Sequence, residues 1–158
     1  MKSLVQKLIK LLTERKLTVS FAESVTCGLA SHQLNITEGT SEIFMGSIIC
    51  YNEKVKMNLL KVNSSLIKKY TAESQEVTDA LAKNLPQLID ADIYVAITGL
   101  DADGGSETPE KPVGTVFFSL LHGGKLTRNR KKFDGSPLDI KKQACEEVYH
   151  MIINELEK

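Results

Sequence analysis

The chain has 158 residues, which suits one compact domain and is short for two. Lys plus Arg and Asp plus Glu number 20 each, so the charge gives no general argument for binding nucleic acid or a membrane surface. The three cysteines are widely spaced, form no CxxC pair and join no Cys/His cluster of zinc-site spacing. We therefore expect no metal and a reducing, cytoplasmic environment.

The N-terminal half predicts two strands among helices. Residues 1–15 carry apolar side chains at helical spacing, interrupted by charges that argue against a signal peptide. Residues 17–22 form a β-prone stretch that leads through small residues into a second helix, and residues 43–51 predict another strand. Residues 52–85 follow a helical pattern, in which Asn63 or Ser64 can cap one helix and Ser74 the next. No apolar run approaches the roughly 20 residues that cross a bilayer.

The C-terminal half predicts strands over 92–98 and 113–121, separated by the long loop 99–112. Two glycines at 123–124 predict a turn into a hairpin strand over 125–134, and residues 138–156 predict a closing amphipathic helix. Interleaved strands and helices favour one α/β domain over 1–158. We expect helices on both faces of a mixed rather than wholly parallel sheet.

A possible nucleophile lies in the segment AESVTCG, residues 22–28, at the end of the first strand. Ser24 and Thr26 sit at a strand-to-helix turn, where free backbone N–H groups can hold a phosphate or an oxyanion. Alternatively, one of these side chains simply caps the helix. Cys27 is another candidate nucleophile, since a thiol pKa falls at a helix N-terminus, but no paired histidine is apparent.

A possible base lies in CYNEKVK, residues 50–56, because a lysine can activate a serine when burial or a neighbouring charge lowers its pKa. Spacing does not choose between Lys54 and Lys56. The alternative interpretation is that both are surface lysines and that Tyr51 belongs to the core. No histidine has a context that suggests catalysis.

The third segment is the loop 99–112, which is long for a compact domain and therefore a candidate for function. Gly104 and Gly105 allow a ligand to approach the backbone closely. Glu107, Glu110 and Lys111 are available for contact with a polar ligand. An ordinary solvated loop is the alternative.

At these three segments the chain resembles the CinA C-terminal domain family, whose active members are nicotinamide mononucleotide deamidases. The family pattern reads like AESCTGG, then Y-S-N-x-x-K before a Leu-Leu-Gly-Val-like stretch, then TGIAGPGG and KPVGTV. The resemblance extends in order over nearly the whole chain. The matching positions are Ala22-Glu23-Ser24, Thr26, Gly28, Tyr51, Lys56, Leu59-Leu60, Val62, Thr98-Gly99-Leu100, Gly104-Gly105 and Lys111 to Val116.

The resemblance implies a three-layer α/β/α sandwich with a mixed, mostly parallel sheet. It also implies hydrolysis of the nicotinamide carboxamide, with Ser24 as nucleophile and Lys56 and Tyr51 as its activating partners. Anchoring the motif on Tyr51 without a gap places its lysine at Lys56; Lys54 would need a gap.

The expected partner is a small-molecule nucleotide, without metal, organic cofactor, nucleic acid or membrane. We also expect a homo-oligomer, most simply a two-fold dimer, from the resemblance and the apolar N-terminal helix. The positions expected to contact substrate are Thr26, Cys27, Gly28, Thr98, Gly99, Gly104, Gly105 and Lys141.

The chain departs from the family pattern around the expected ligand. Val25 and Cys27 replace a frequent Cys and a Gly, and 101–103 read Asp-Ala-Asp where the family often has Ala-Gly-Pro. Ser136-Pro137 follow Gly135 where the family tends to have Asp-Arg, and the later basic position is Lys141. Two other hypotheses therefore stand beside deamidation: a non-catalytic nucleotide-binding or regulatory domain, and an amidase for a different amide.

Overall fold

The predicted strands and helical regions are all present in the structure, a computed structural model that describes residues 1–158. The region predicted as helical over 52–85 divides into three α-helices and a short 3-10 turn. The elements are α1 (Lys2–Arg15), β1 (Val19–Glu23), α2 (Leu29–Asn35), β2 (Phe44–Ile49), α3 (Glu53–Asn58), α4 (Ser64–Tyr70), α5 (Gln75–Asn84), the 3-10 turn Leu85–Gln87, β3 (Ile93–Gly99), β4 (Thr115–His122), β5 (Lys125–Lys132) and α6 (Pro137–Leu156).

The five strands form one mixed sheet in the order β2-β1-β3-β4-β5. Strand β1 pairs in parallel with β2 and with the central strand β3, whereas β3–β4 and β4–β5 are antiparallel. The predicted mixed sheet is confirmed. All strands except β4 run in the same direction, although the neighbouring pairs divide evenly between parallel and antiparallel.

Helices cover both faces of the sheet, which confirms the three layers. Alternate residues of a strand face opposite sides, so β3 sends Val95 and Ile97 into one core and Tyr94 and Ala96 into the other. The first core contains the buried faces of α1, α2 and α6, and the second contains those of α4 and α5. No helix is both long and apolar enough to cross a membrane.

The apolar stripe of α1 is used inside the chain. Val5, Leu8 and Leu12 are buried in the first core, where α1 packs against α6. An apolar N-terminal helix is one reason to expect an oligomer, but here its apolar stripe is already buried within the chain, without a second copy. A homo-oligomer therefore stays a prediction from the resemblance.

Helix starts follow the capping chemistry of the sequence. Asn63 caps α4 by accepting from Ser65 N at 2.9 Å, and Ser74 caps α5. Ser136 forms a capping box with Asp139, and Pro137 occupies the first turn of α6. The departure at Ser136-Pro137 thus has a structural explanation as a helix start.

The sheet brings the three candidate segments to one edge, because parallel strands end on the same side. Glu23, at the end of β1, is in register with Ile49 of β2 and Ile97 of β3. Two further hydrogen bonds extend this order beyond the strands: Cys50 N donates to Glu23 O at 2.8 Å, and Ser24 N donates to Ile97 O at 3.0 Å.

Candidate active site

Ser24 and Lys56 meet at the carboxyl edge of the sheet. The Lys56 Nζ lies 2.9 Å from Ser24 Oγ. Ser24 is 5% exposed and Lys56 is fully buried. The geometry is that of a nucleophile within hydrogen-bond reach of a base.

The burial of Lys56 shifts its amine towards the neutral form. Besides Ser24 Oγ, its Nζ contacts only the carbonyl oxygens of Cys50, at 2.6 Å, and Tyr51, at 3.1 Å. No carboxylate forms an ion pair with Lys56, and burial lowers the pKa of Lys56 below the ordinary 10.5. A neutral amine donates two hydrogens to the two carbonyls and offers its lone pair to the Ser24 hydroxyl.

Asn52 explains why Lys56, and not Lys54, turns inward. The Asn52 side chain caps α3 by accepting from Lys54 N at 2.9 Å, which fixes where the helix begins. Residues two apart on a helix point in nearly opposite directions. Lys54 is consequently exposed, whereas Lys56 faces the end of β1.

The backbone of Tyr51 contacts Lys56, whereas its side chain lies at the surface. Its carbonyl accepts from Lys56, while its side chain is 67% exposed. The phenol makes no hydrogen bond with Ser24 or Lys56 in this arrangement. The contact of Tyr51 with Lys56 is made by the main chain, so an activating role of the phenol stays a prediction, and Tyr51 does not belong to the core.

The start of α2 is occupied by a carboxylate that sequence reasoning missed. Glu23 is fully buried and accepts from Thr26 Oγ1 at 2.7 Å, Gly28 N at 3.0 Å and Ala30 N at 3.1 Å. Its other oxygen accepts from the Ser31 N and Oγ. The helix dipole and its free N–H groups are thus satisfied inside the protein, and the expected anion site at this helix is filled by Glu23. The sequence contained a signal for this role, because Glu23 is an acidic residue placed just before the predicted second helix.

Two backbone donors remain beside Ser24. Cys27 N donates to Ser24 O at 3.1 Å and closes a turn. The Val25 and Thr26 N–H groups, at the middle of that turn, make no hydrogen bond within the chain. They are the candidates for holding an oxyanion that forms next to Ser24.

A cavity of about 320 Å³ opens above Ser24, and we call it the Ser24 cavity. Its lining includes three of the predicted ligand positions, Gly99, Gly104 and Gly105, and also Tyr51. Its complete lining is Ser24, Val25, Tyr51, Asn52, Glu53, Glu73, Gly99, Leu100, Asp101, Ala102, Asp103, Gly104 and Gly105.

Several predicted contact residues lie outside this lining. Thr26 and Gly28 are held by Glu23, and Cys27 is exposed at the start of α2 with φ 49°. Thr98 is buried, and its hydroxyl shares a 2.8 Å hydrogen bond with that of Thr78. None of these residues lines the Ser24 cavity, so their expected contact with substrate stays a prediction.

Lys141 pairs with one of the departures from the family pattern. Its Nζ lies 2.8 Å from Asp101 Oδ2 and also donates to the carbonyl of Val25. The ammonium is therefore engaged by a carboxylate, where the resemblance suggested a contact with substrate. The negative charge of Asp101 is offset by the same pair.

The long loop is fastened to the start of α5. Lys111 donates to Thr71 Oγ1 at 2.7 Å, to Glu73 O at 2.9 Å and to Ser106 Oγ at 2.8 Å. Glu107 turns back on the loop and accepts from Gly104 N at 2.8 Å. Lys111 and Glu107, which sequence reasoning offered as ligand contacts, thus hold the shape of the loop.

A larger cavity of about 830 Å³ lies away from this edge, between α1 and the turn after α2. Its lining includes Val5, Gln33 and Ile36 but no hydroxyl–amine pair of the Ser24–Lys56 kind. Nor does the chain gather three or more His, Cys, Asp or Glu side chains in a metal-binding arrangement. The chemistry of the fold is concentrated at the Ser24 cavity.

Comparison with known families gives a match over almost the whole chain. The family model of the CinA C-terminal domain matches residues 1–156. A CinA-like protein of Prochlorococcus marinus subsp. pastoris is 41% identical over 130 residues, covering 82% of this chain and 30% of that protein. A CinA-like protein of Pseudothermotoga lettingae is 40% identical over 119 residues, covering 75% of this chain and 29% of its own length. The chain therefore spans about a third of the length of these curated relatives.

Solved structures share the fold. A competence or damage-inducible protein from Enterobacter asburiae superposes with a TM-score of 0.92 at 26% identity, over 98% of this chain and 97% of that one. The competence/damage inducible protein CihA from Agrobacterium tumefaciens also gives 0.92 at 26% identity, over 99% and 95% of the two chains.

Proposed function

The chain belongs to the CinA C-terminal domain family, and from that premise we propose that it is an amidohydrolase that deamidates nicotinamide mononucleotide. The products are nicotinate mononucleotide and ammonia. The observation that carries the proposal is the buried contact of 2.9 Å between Lys56 Nζ and Ser24 Oγ, with no carboxylate paired to the lysine.

In the first half-reaction, Ser24 Oγ attacks the carboxamide carbon while its proton passes to neutral Lys56. The carbonyl oxygen becomes an oxyanion, for which the free N–H groups of Val25 and Thr26 are the nearest unpaired donors in sequence. When the tetrahedral intermediate collapses, the carbon–nitrogen bond breaks and the Lys56 ammonium protonates the leaving amine, which departs as ammonia. An acyl ester on Ser24 remains.

In the second half-reaction, water attacks the ester and gives its proton to Lys56. Collapse breaks the bond to Ser24 Oγ, which takes the proton back from Lys56, and the carboxylic acid product ionises to the carboxylate by giving its proton to the released ammonia or to solvent. The carbonyls of Cys50 and Tyr51 hold the Lys56 amine in place throughout. Because the base must be neutral, turnover is expected to rise with pH through the lowered pKa of Lys56.

The test is ammonia release from nicotinamide mononucleotide by the purified chain and by three variants. Ser24→Ala and Lys56→Met are expected to lose at least about a hundredfold in kcat, the lower range for general base catalysis. Lys54→Met is the matched control, since it removes an exposed lysine of the same helix, and it is expected to retain activity.

The outcome also separates the competing hypotheses. A folded parent protein that releases no ammonia would contradict the proposal. Binding of the mononucleotide without turnover, unchanged by Ser24→Ala, would instead identify a non-catalytic nucleotide-binding domain.

A further inference from the structure

The turn that follows Ser24 contains a buried residue with one unpaired polar group. Thr26 is 1% exposed; its hydroxyl donates to Glu23 at 2.7 Å, and its carbonyl accepts from Leu29 N at 3.0 Å. The N–H of Thr26 makes no hydrogen bond within the chain, and neither does that of Val25, which is 2% exposed. Buried donors without a partner are rare in folded proteins. These two donors therefore point to a ligand beside Ser24.

The backbone of this turn directs both N–H groups to one side. Cys27 N closes the turn by donating to Ser24 O, and neither Val25 nor Thr26 has a positive φ, which is the pattern of a type I turn. The two central residues then have nearly helical dihedral angles. Their N–H groups consequently point the same way, and the Val25 carbonyl points the opposite way. Val25 and Ser24 both line the Ser24 cavity.

Lys141 holds the other end of the peptide unit that carries the Thr26 N–H. From α6 its ammonium donates to the Val25 carbonyl, which belongs to that same peptide unit. Asp101 Oδ2 lies 2.8 Å from the Lys141 Nζ and keeps the amine at this position. Lys141 is not among the residues that line the Ser24 cavity, so its contact with the site is made through this carbonyl.

The contact from Lys141 has two effects on the Thr26 N–H. It restrains the peptide against the flip that would convert the turn to type II, a conversion that would also require a positive φ at the β-branched Thr26. It also polarises the peptide. A hydrogen bond from a cation draws charge from the carbonyl, and the N–H at the other end of the same peptide becomes a stronger donor.

We infer that Lys141 is a positioning residue for the oxyanion of the Ser24 reaction, because it fixes and strengthens the Thr26 N–H through the Val25 carbonyl. The inference rests on the proposed amidase function and assigns a part in it to a residue outside the cavity. This role differs from the substrate contact expected of Lys141. Support for the oxyanion acts in the transition state alone, whereas a contact with the phosphate also acts in the bound substrate.

The first test is ammonia release from nicotinamide mononucleotide by the full chain and its variants. Lys141→Met is expected to lower kcat about tenfold to a hundredfold, less than the loss of a whole oxyanion donor, and to change KM by less than about threefold. Lys141→Arg keeps a cationic donor for the carbonyl and is expected to retain most of the kcat. Lys142→Met removes an exposed lysine at the next position of α6 and is expected to leave both parameters unchanged.

Two further variants separate this role from others that Lys141 could have. Asp101→Asn removes the ion pair to the long loop but leaves the contact with the Val25 carbonyl, so its kcat is expected to fall less than that of Lys141→Met. Binding of the mononucleotide is measured by calorimetry in a chain that carries Ser24→Ala and does not react. Adding Lys141→Met to that chain is expected to change Kd by less than about threefold.

A boronic acid gives a readout that does not depend on the proposed substrate. With pyridine-3-boronic acid, Ser24 Oγ adds to boron and its proton passes to Lys56. The adduct is a tetrahedral anion with an oxygen at the oxyanion position. Lys141→Met is expected to weaken the affinity for this compound about tenfold, since the same N–H groups would hold that oxygen.

Three results would overturn the inference. They are a KM or Kd for the mononucleotide raised about tenfold by Lys141→Met with kcat retained, which would identify a phosphate contact; an equal loss of kcat in Asp101→Asn, which would assign the effect to the loop; and a boronate affinity independent of Lys141. A parent chain that binds the boronate but releases no ammonia would refute the proposed substrate, and weaker boronate binding by Lys141→Met would then leave the role of Lys141 standing. A parent chain that does neither would refute both.

Discussion

Replacing Lys56 by Met should change the stability of the protein in a way that depends on pH. The side chains are similar in length, so the substitution removes chiefly the amine. Its loss leaves the carbonyls of Cys50 and Tyr51 without those donors, and each buried unsatisfied group costs about 1–3 kcal/mol. At a pH where Lys56 is neutral both folded and unfolded, the variant is therefore expected to be less stable by about 2 kcal/mol or more.

Lowering the pH reduces this difference in stability. Burial lowers the pKa of Lys56 from 10.5, so between the two values the unfolded chain binds more protons than the folded one. The parent protein consequently gains stability as pH rises through that window and loses it as pH falls, by up to about 1.4 kcal/mol per pH unit. The Met variant has no such dependence at this position. Towards neutral pH the stability of the variant is therefore expected to approach that of the parent.

The measurement is the free energy of unfolding by urea for both proteins between pH 7 and 10.5. Burial raises the pKa of Cys50 to about 11, but both proteins carry Cys50, so most of its titration cancels in the difference. The stability of the parent minus that of the variant should increase with pH. A difference that stays flat, or that grows as pH falls, would show that Lys56 keeps its ammonium on folding and would refute the argument for a neutral base.

Three other predictions concern residues around the site. Glu23→Gln should cost about 3 kcal/mol or more in urea unfolding, because an amide nitrogen cannot accept the hydrogen bonds of a fully buried carboxylate; a loss below about 1 kcal/mol would contradict this. Gly114→Ala should lower the free energy of unfolding far more than Gly124→Ala. Both glycines have positive φ, but only at Gly114 would a Cβ fall 2.0 Å from a backbone oxygen. Equal losses of stability would show that the backbone at Gly114 can move to make room. Asp101→Asn and Lys141→Met should be coupled by about 1 kcal/mol in a double-mutant cycle, and additive effects would argue against their ion pair.

The sequence predicted most of the fold, because periodicity reports which faces are buried. The cap at Ser74 was predicted from the residue type, and α1 and α6 followed from their apolar spacing. The division of 52–85 into three helices was not predicted in detail. Short helices depend on tertiary packing, and their apolar residues merge into one pattern.

The site was less accessible to sequence reasoning. Spacing alone left Lys54 and Lys56 as alternatives. The cap at Asn52 could have separated them, because a cap fixes where the following helix begins and therefore which of its residues face the sheet. The role of Glu23 was missed because the turn after β1 offers the same free N–H groups to an external anion and to an internal carboxylate. Glu73 was not predicted as part of the site because its position in the cavity lining depends on how α5 packs against the sheet.

The two carbonyls that hold Lys56 have a consequence for how such chains diverge. They are main-chain atoms, so they are present whatever side chains occupy positions 50 and 51. Substitution of Cys50 or Tyr51 leaves the contacts of the amine in place as long as the backbone keeps its path from the end of β2 into α3. A related chain can therefore carry another side chain at these positions, as far as the packing around buried Cys50 allows, and still hold the amine through the main chain.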